Sequence, residues 1–133
     1  MGCAMRIEIF SFGHKYGPAE ADLCFDLRVL ANPYWEPSLR PLSGLDAPVR
    51  EYILADPDSA AYLRLMGELV RLQVRLARAK GCERLRIALG CTGGRHRSVA
   101  GAVWLSQLLQ EDGCSLTHRD LLREGGAALR KGD

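Results

Sequence analysis

The chain has 133 residues, of which 47% are apolar and 26% are charged, as is ordinary for a soluble globular protein. This length predicts one domain over residues 1–133, and the composition excludes disordered, collagen-like and small disulfide-stapled proteins. Eighteen basic residues against sixteen acidic ones give a formal charge of +2, which is too small to indicate nucleic-acid binding by itself.

The first part of the chain predicts two strands and a long loop. Apolar and polar residues alternate over residues 5–9, as in a strand, and the glycines of SFGHKYGP, residues 11–18, indicate a loop after it. A second alternation from Leu23 to Val29 has one apolar face and one face of acids and an arginine. Residues 31–48 carry four prolines and a glycine, which predicts an irregular loop of the length that is often functional.

Two helices follow, and each has an aspartate cap and a proline in its first turn. Asp46 begins a short helix that ends near Ala55, and Asp56 begins a long one that ends near Lys80. In the long helix, leucines recur in steps of four, three and four residues, and arginines follow along the neighbouring stripe. This predicts an amphipathic helix with a basic edge, formed by Leu65, Leu69, Leu72 and Leu76 beside Arg64, Glu68, Arg71, Arg75 and Arg78.

The last part of the chain predicts two more strands. Residues 85–89 form a strand that leads directly into a glycine-rich loop over residues 90–98 and then into an apolar helix. Residues 115–119 predict a short final strand before a tail that contains glycines and basic residues. Strands that alternate with helices predict an α/β domain, with a parallel or mixed sheet of about four strands covered by helices.

The lengths of the apolar runs and the chain start favour a cytoplasmic protein. No apolar run is long enough to span a membrane, and the start, MGCAMRIEIF, lacks the features of a signal peptide. The five cysteines are odd in number and have no C-x-x-C spacing, so we expect free thiols. The three histidines lie far apart in sequence, and we expect neither a metal nor another cofactor.

The loop over residues 90–98 has the features of an anion site. It joins a strand to a helix N-terminus, where backbone N–H groups and the helix dipole attract negative charge. Its glycines let the backbone wrap around a ligand, while its hydroxyl and basic side chains suit a phosphate. The alternative is a glycine-rich turn with a buried cysteine and basic residues at the surface. The predicted site consists of Cys91, Thr92, Gly93, Gly94, His96, Arg97 and Ser98.

Part of this loop resembles the signature C-x-x-G-x-x-R-[ST] of cysteine-dependent phosphatases, through Cys91, Gly94, Arg97 and Ser98. A thiolate stabilised by the helix N-terminus and an arginine can attack phosphorus, so a phosphomonoesterase with Cys91 as nucleophile is an alternative function. The same electropositive loop predicts that Cys91 reacts faster with iodoacetamide than Cys24. The signature usually has a histidine where this chain has Gly90, and the general acid would have to be Asp22 or Asp26.

A longer series of motifs closely resembles the C-terminal domain of the RapZ family, also called the YvcJ family. The resemblance runs from about Arg6 to Asp120 and comprises SFGHKYG, ADLCFDLRVL with NPYW, LRPLSGLDAPV, GCTGGRHRSV and a closing HRD. It implies a fold likened to part of phosphofructokinase and a homo-oligomer. It also implies a domain that binds and senses an aminosugar phosphate and, in enterobacterial members, binds small regulatory RNA and partner proteins rather than catalysing a reaction.

The resemblance also implies which residues form the ligand pocket. These are Cys91, Thr92, Gly93, His96 and Arg97, with support from Asp26 and from the loop that carries His14 and Lys15. The predicted function is therefore a sensor or adapter domain for a phosphorylated small molecule, with the phosphatase and an RNA-binding adapter as alternatives.

Two features of the family are altered in this sequence. Most members carry an N-terminal nucleotide-binding domain with a Walker A loop, and no G-x-x-x-x-G-K-[ST] occurs here, so we expect a C-terminal module on its own without ATP or GTP binding. The RNA-binding members end in a dense Lys/Arg tail, whereas residues 119–133 contain four basic residues diluted by three acidic ones.

Overall fold

The structure, a computed structural model, describes residues 5–125. Its strands are β1 (Arg6–Gly13), β2 (Leu23–Asp26), β3 (Arg84–Cys91) and β4 (Cys114–His118). Its helices are α1 (Ala47–Ala55), α2 (Pro57–Ala79), α3 (Arg97–Leu108) and the short α4 (Leu121–Gly125). The strands form one parallel sheet in the order β2-β3-β1-β4, which confirms the predicted α/β class. The basic tail with Arg130 and Lys131 lies outside the described residues.

Three boundaries differ from the sequence-based predictions. β1 continues to Gly13 instead of ending before Ser11, because its last residues are buried beside β3 and pair with it. β2 ends at Asp26 instead of Val29, because the Asp26 carboxylate accepts a hydrogen bond from the N–H of Arg28 and starts a 3-10 turn. α3 begins at Arg97, so the predicted 90–98 loop is shortened to residues 92–96.

The sequence predicts an aspartate cap at the start of both α1 and α2, and the structure has such a cap at α2 only. Asp56 caps α2 by accepting a hydrogen bond from the N–H of Ser59 at 2.9 Å. Asp46 precedes α1 as predicted, but its carboxylate accepts from the N–H of Ser43 at 2.9 Å instead of capping the helix. The aspartates therefore mark both helix starts, although only one of them is a side-chain cap.

The two faces of the sheet are covered differently. Ile7, Ile9 and Ile87 point to the face on which the helices pack, and they belong to the main apolar core. Phe10 and Phe12 point to the opposite face, where the segment with Ala19 and Ala21 packs against them. The guanidinium groups of Arg86 and Arg119 lie over these two phenyl rings, at 4.6 and 5.4 Å from the centroids.

α2 does not use its leucine stripe as its core face. Leu65, Leu69, Leu72 and Leu76 are between 40% and 57% exposed. The helix is buried through a neighbouring set instead, which consists of Leu63, Met66, Gly67, Val70, Val74 and Ala77. α2 therefore has two adjoining apolar faces, and only one of them is buried in the core. Within residues 5–125, no helix is long and apolar enough to cross a membrane.

Candidate functional site

The candidate site lies at the carboxyl edge of the parallel sheet. Gly13 at the end of β1 is in register with Cys91 at the end of β3, and Asp26 at the end of β2 is in register with Gly90. β1 continues into the segment that covers the Phe10 face, while β3 continues into α3 on the other face. Ligands of parallel sheets bind where neighbouring strands continue to opposite faces in this way.

Glycines allow the 92–96 loop to lie directly against the end of β1. A Cβ atom on Gly13 would collide with the carbonyl group of Gly93, and one on Gly94 would lie 2.7 Å from the nitrogen of Gly13. Gly94 also has a φ of +80°, which L-residues rarely adopt. This close approach brings the backbone of the loop and the end of β1 together at the base of the site.

The deeper side chains of the predicted site are bonded within the protein. The thiol of Cys91 donates to the hydroxyl oxygen of Ser98 at 3.1 Å, and both residues are fully buried. Arg97 is only 5% exposed, and its Nη1 donates to the carbonyl oxygens of Arg28 at 2.7 Å and Leu30 at 3.4 Å. Its Nε is buried without a hydrogen-bond partner in the described part of the chain. Arg97 thus connects the start of α3 to the turn after β2.

His14 and Lys15 form a partly exposed layer of the site, on the solvent side of these buried groups. The N–H of Lys15 donates to the carbonyl oxygen of Thr92 at 3.1 Å, and Nε2 of His14 lies 3.8 Å from Oδ1 of Asp26. Burial lowers the pKa of His14, and the charge of Arg28 lowers it further. The His14 ring is therefore mainly neutral at neutral pH and can accept or donate a hydrogen bond.

Asp26 carries a fixed negative charge beside this layer. Nε and Nη2 of Arg28 donate to its two carboxylate oxygens at 2.9 and 2.7 Å. These hydrogen bonds lower the pKa of Asp26 to about 2. Asp26 is therefore ionised over the physiological pH range, and it can bind an ammonium group or accept from a hydroxyl.

A buried carboxylate that the sequence analysis missed fixes the loop after β1. Asp120 is fully buried, and it accepts hydrogen bonds from the N–H of Gly13 at 2.8 Å and from Nε of Arg119 at 2.9 Å. Arg119 also donates to the carbonyl oxygens of Gly17 at 2.9 Å and Pro18 at 2.8 Å. The HRD motif after the last strand was the available signal, and its role is to position the loop that carries His14 and Lys15.

The structure thus brings most of the predicted residues to one edge of the sheet. These are His14, Lys15, Asp26, Cys91, Thr92, Gly93, Gly94, His96, Arg97 and Ser98. Asp22 is not among them, because its carboxylate accepts from the N–H of Arg86 at 2.8 Å, before β2 begins. Among the described residues, no group of three or more His, Cys, Asp or Glu side chains could hold a metal ion.

The burial of Cys91 leads us to expect an order of thiol reactivity opposite to the one that the sequence predicts. Cys91 is fully buried, whereas Cys82 is exposed. Partial burial raises the pKa of the Cys24 thiol although the residue itself is exposed. We therefore expect iodoacetamide to modify Cys82 first, Cys24 more slowly and Cys91 last, and timed alkylation with peptide mass spectrometry measures this order. Alkylation in guanidinium is the control, and modification of Cys91 in the folded protein as fast as Cys82 would contradict the prediction.

Comparison with known protein families gives the family of this chain. Residues 5–122 match the family model of the RapZ C-terminal domain. The chain belongs to this family. In this RapZ C-terminal domain, the GCTGGRHRSV motif ends β3 and begins α3, while the HRD motif closes on the end of β1 through Asp120.

Curated relatives of this RapZ C-terminal domain are named nucleotide-binding proteins. One from Nitratidesulfovibrio vulgaris (strain DP4) is 47% identical over 121 residues, which cover 89% of this chain and 40% of the relative. One from Thermobifida fusca (strain YX) is 45% identical over 123 residues, which cover 90% of this chain and 42% of the relative. One from Rhodococcus erythropolis is 47% identical over 124 residues, with coverage of 90% and 42%. The chain thus spans about two fifths of the length of these relatives.

Proposed function

We propose that this domain binds an aminosugar phosphate at the carboxyl edge of its sheet and acts as a sensor or adapter. The observation that carries the proposal is that the loop before the N-terminus of α3 and the ionised carboxylate of Asp26 lie at the same edge of the sheet. α3 begins at Arg97 and has no side-chain cap on its first turn, so its dipole favours an anion beside residues 92–96. The buried Nε of Arg97 is a further group suited to a phosphate oxygen.

The position of Asp26 supports an amino group on the ligand. Asp26 lies opposite Gly90, one residue before Cys91, on the strand next to β3. Neighbouring strands are about 4.8 Å apart, a distance that one sugar ring can bridge. The Asp26 carboxylate is ionised and nearly half exposed, so an ammonium group of the ligand can contact it beside Arg28, which already donates to both of its oxygens.

Titration calorimetry on the full chain tests the ligand class. We expect glucosamine 6-phosphate to bind more tightly than glucose 6-phosphate, and inorganic phosphate to bind most weakly. Asp26→Asn should lower the affinity for glucosamine 6-phosphate about tenfold, since it removes the negative charge that the ammonium group would contact. The affinity for glucose 6-phosphate should stay nearly unchanged.

Asp22→Asn is the matched control, because Asp22 lies outside the site. It should leave all three affinities unchanged. Absence of binding up to about 10 mM of each ligand would contradict the site itself. Equal effects of Asp26→Asn on both sugar phosphates would contradict the role of Asp26 while leaving the phosphate site in place.

Phosphatase activity remains the alternative function, and we expect p-nitrophenyl phosphate turnover at background. Efficient hydrolysis requires an acid that is protonated at the working pH, and this contributes about 10² to 10⁴-fold. Asp26 does not meet this requirement, because its pKa is about 2. The Cys91 thiol is also fully buried. A rate that depends on Cys91, measured against Cys91→Ser, would move the function to the enzyme class.

That the domain binds RNA as an adapter, or binds a partner protein, stays a prediction. Two arginines of the α2 stripe are bonded within the protein: Arg71 donates to the carbonyl oxygen of Leu108 at 3.2 Å, and Arg78 pairs with Asp112 at 2.8 Å. Binding of a small RNA that weakens steeply with salt would support the adapter.

A further inference from the structure

We infer that a cavity between α1, α2 and α3 is a second binding site, and that it takes a short branched-chain carboxylate. The apolar tail of this ligand lies between the three helices, and its carboxylate contacts Arg50. The cavity has a volume of about 70 Å³ and is lined by residues of all three helices. The inference goes beyond the proposed function and does not rest on it, because the cavity shares no lining residue with the candidate site.

The deep part of the cavity is apolar and has the size of a small branched alkyl group. Ile53 of α1, Leu63 of α2 and Ala100 of α3 line it, and all three side chains are buried in the core. An apolar cavity of about 150 Å³ binds benzene, so the smaller volume here suits about three or four carbon atoms. An isobutyl group meets this limit, whereas a phenyl group exceeds it.

Trp104 forms a wall of the cavity that α2 holds in place. A Cβ atom on Gly67 would lie 2.8 Å from Cη2 of the Trp104 ring and 2.6 Å from Cδ2 of Leu108. The glycine therefore allows the indole ring to lie directly over the backbone of α2. Because the ring also lines the cavity, it offers a flat apolar surface to the tail of the ligand, and its signals report whether the cavity is occupied.

Arg50 supplies a positive charge at the opening of the cavity, where Gln107 is exposed. Its Nη1 donates to the carbonyl oxygens of Gly44 at 3.0 Å and Leu45 at 2.7 Å, and these bonds hold the guanidinium group in place. The N–H groups of Nε and Nη2 lie in one plane and match the two oxygens of a carboxylate. The side-chain amide of Gln107 can donate a further hydrogen bond to this carboxylate.

The charge of the cavity selects a carboxylate over a phosphate. Among residues 5–125, Arg50 is the one charged residue that lines it. A phosphate monoester carries a charge of about −1.5 to −2 at neutral pH, whereas a carboxylate carries a single negative charge. One guanidinium group therefore balances a carboxylate, and this ligand differs in class from the phosphate proposed for the candidate site.

The cavity lies beside the candidate site. Ala100 lines the cavity, and its N–H donates to the carbonyl oxygen of His96 at 2.9 Å. Gly44, which accepts from Arg50, donates its own N–H to the carbonyl oxygen of Arg95 at 2.9 Å. Different residues thus form the two sites, and we expect their ligands not to compete.

An NMR titration of the full chain with sodium isovalerate, an isobutyl group on a carboxylate, tests the inference. The chain has two tryptophans, so the spectrum of Trp35→Phe assigns the indole N–H signal of Trp104. We expect this signal to shift with a Kd of about 1 mM, as is usual for so small a ligand. Isovaleramide has the same shape without the charge, and acetate has the charge without the branched tail. Each should bind at least about tenfold more weakly than isovalerate.

Arg50→Met tests the role of the charge. It should lower the affinity for isovalerate about tenfold and leave that for isovaleramide nearly unchanged, since only the carboxylate loses its ionic partner. Arg64→Met is the matched control, because Arg64 is exposed on α2 and does not line the cavity. It should leave both affinities unchanged.

Ala100→Val tests the position of the tail, because the added methyl groups occupy the cavity. It should abolish the shift of the Trp104 signal, and its melting temperature should stay close to that of the wild type. Leu54→Phe is a second variant that keeps the core intact, since Leu54 lines the cavity but is 42% exposed. The larger side chain narrows the opening and should weaken the binding of isovalerate.

The inference fails if the Trp104 signal does not shift at about 20 mM isovalerate, well above the expected Kd. It also fails if isovaleramide binds as tightly as isovalerate, or if Arg50→Met and Arg64→Met have equal effects. Displacement of isovalerate by glucosamine 6-phosphate, with shifts confined to residues 92–96, would place the carboxylate in the candidate site and overturn the second site. Absence of glucosamine 6-phosphate binding would contradict the proposed function only, because isovalerate is measured without it.

Discussion

Asp120→Asn is expected to lower the free energy of unfolding by about 3 kcal/mol, which corresponds to roughly 10 °C in Tm for a domain of this size. The Asp120 carboxylate is fully buried and neutralises the positive charge of the Arg119 guanidinium. It also accepts a hydrogen bond from the N–H of Gly13. An ion pair with Nε of Arg123 at 2.9 Å adds to this. The amide has no charge, so two arginines lose their anionic partner, and one of its two former acceptor atoms becomes a donor.

Asp112→Asn is the matched control for this prediction. Asp112 also pairs with an arginine, Arg78, but both side chains are more than a quarter exposed. Exposed ion pairs contribute about 0 to 1 kcal/mol to stability, so Asp112→Asn should lower the free energy of unfolding by no more than that. Denaturant unfolding followed by circular dichroism measures both values, and an equal loss in the two variants would show that the Asp120 cluster does not fix the end of β1.

Gly94→Ala is the second substitution for which we expect a large effect, because the added methyl group has no space. Its Cβ would lie 2.7 Å from the nitrogen of Gly13 and 3.1 Å from Cβ of Asp120. The 92–96 loop would have to move away from β1 to relieve these close contacts. We expect a loss of about 3 kcal/mol in the free energy of unfolding and loss of ligand binding, since the loop would no longer be held in position.

Gly81→Ala separates this steric effect from backbone strain. Gly81 has a φ of +78°, nearly that of Gly94, but a Cβ there would meet nothing within 4 Å. Gly81→Ala should therefore lower the free energy of unfolding only by the strain of a left-handed residue, about 1 to 2 kcal/mol. Chemical unfolding and calorimetry with glucosamine 6-phosphate measure both variants. Equal losses in Gly81→Ala and Gly94→Ala would mean that backbone conformation, and not the approach of the loop to β1, explains the glycine.

The parts of the fold that were predictable from the sequence are those fixed by local patterns. The strands follow from alternation, the helix starts from aspartate and proline, and the 92–96 loop from glycines placed between a strand and a helix. The same pattern places Cys91, Thr92 and Arg97 where β3 ends and α3 begins, as in the structure. The end of β2 was not found, because alternation continues to Val29 while the Asp26 side chain turns the backbone after it.

The parts that the sequence did not reveal depend on distant contacts. Gly13 and Asp120 are 107 residues apart in sequence, and only the parallel pairing of β4 with β1 brings them together. The burial of Cys91 likewise depends on how β1 and α3 enclose the end of β3. The core face of α2 could not be chosen from its pattern, because two adjoining apolar faces give the same periodicity.

The loops around the site are held through their main chains. Arg97 binds the carbonyl oxygens of Arg28 and Leu30, and Arg119 binds those of Gly17 and Pro18. A carbonyl group is present whatever the side chain is, so these anchors place few demands on the amino acids of the loops themselves. Evolution or design can therefore exchange the side chains at the rim of the candidate site while the loops keep their positions.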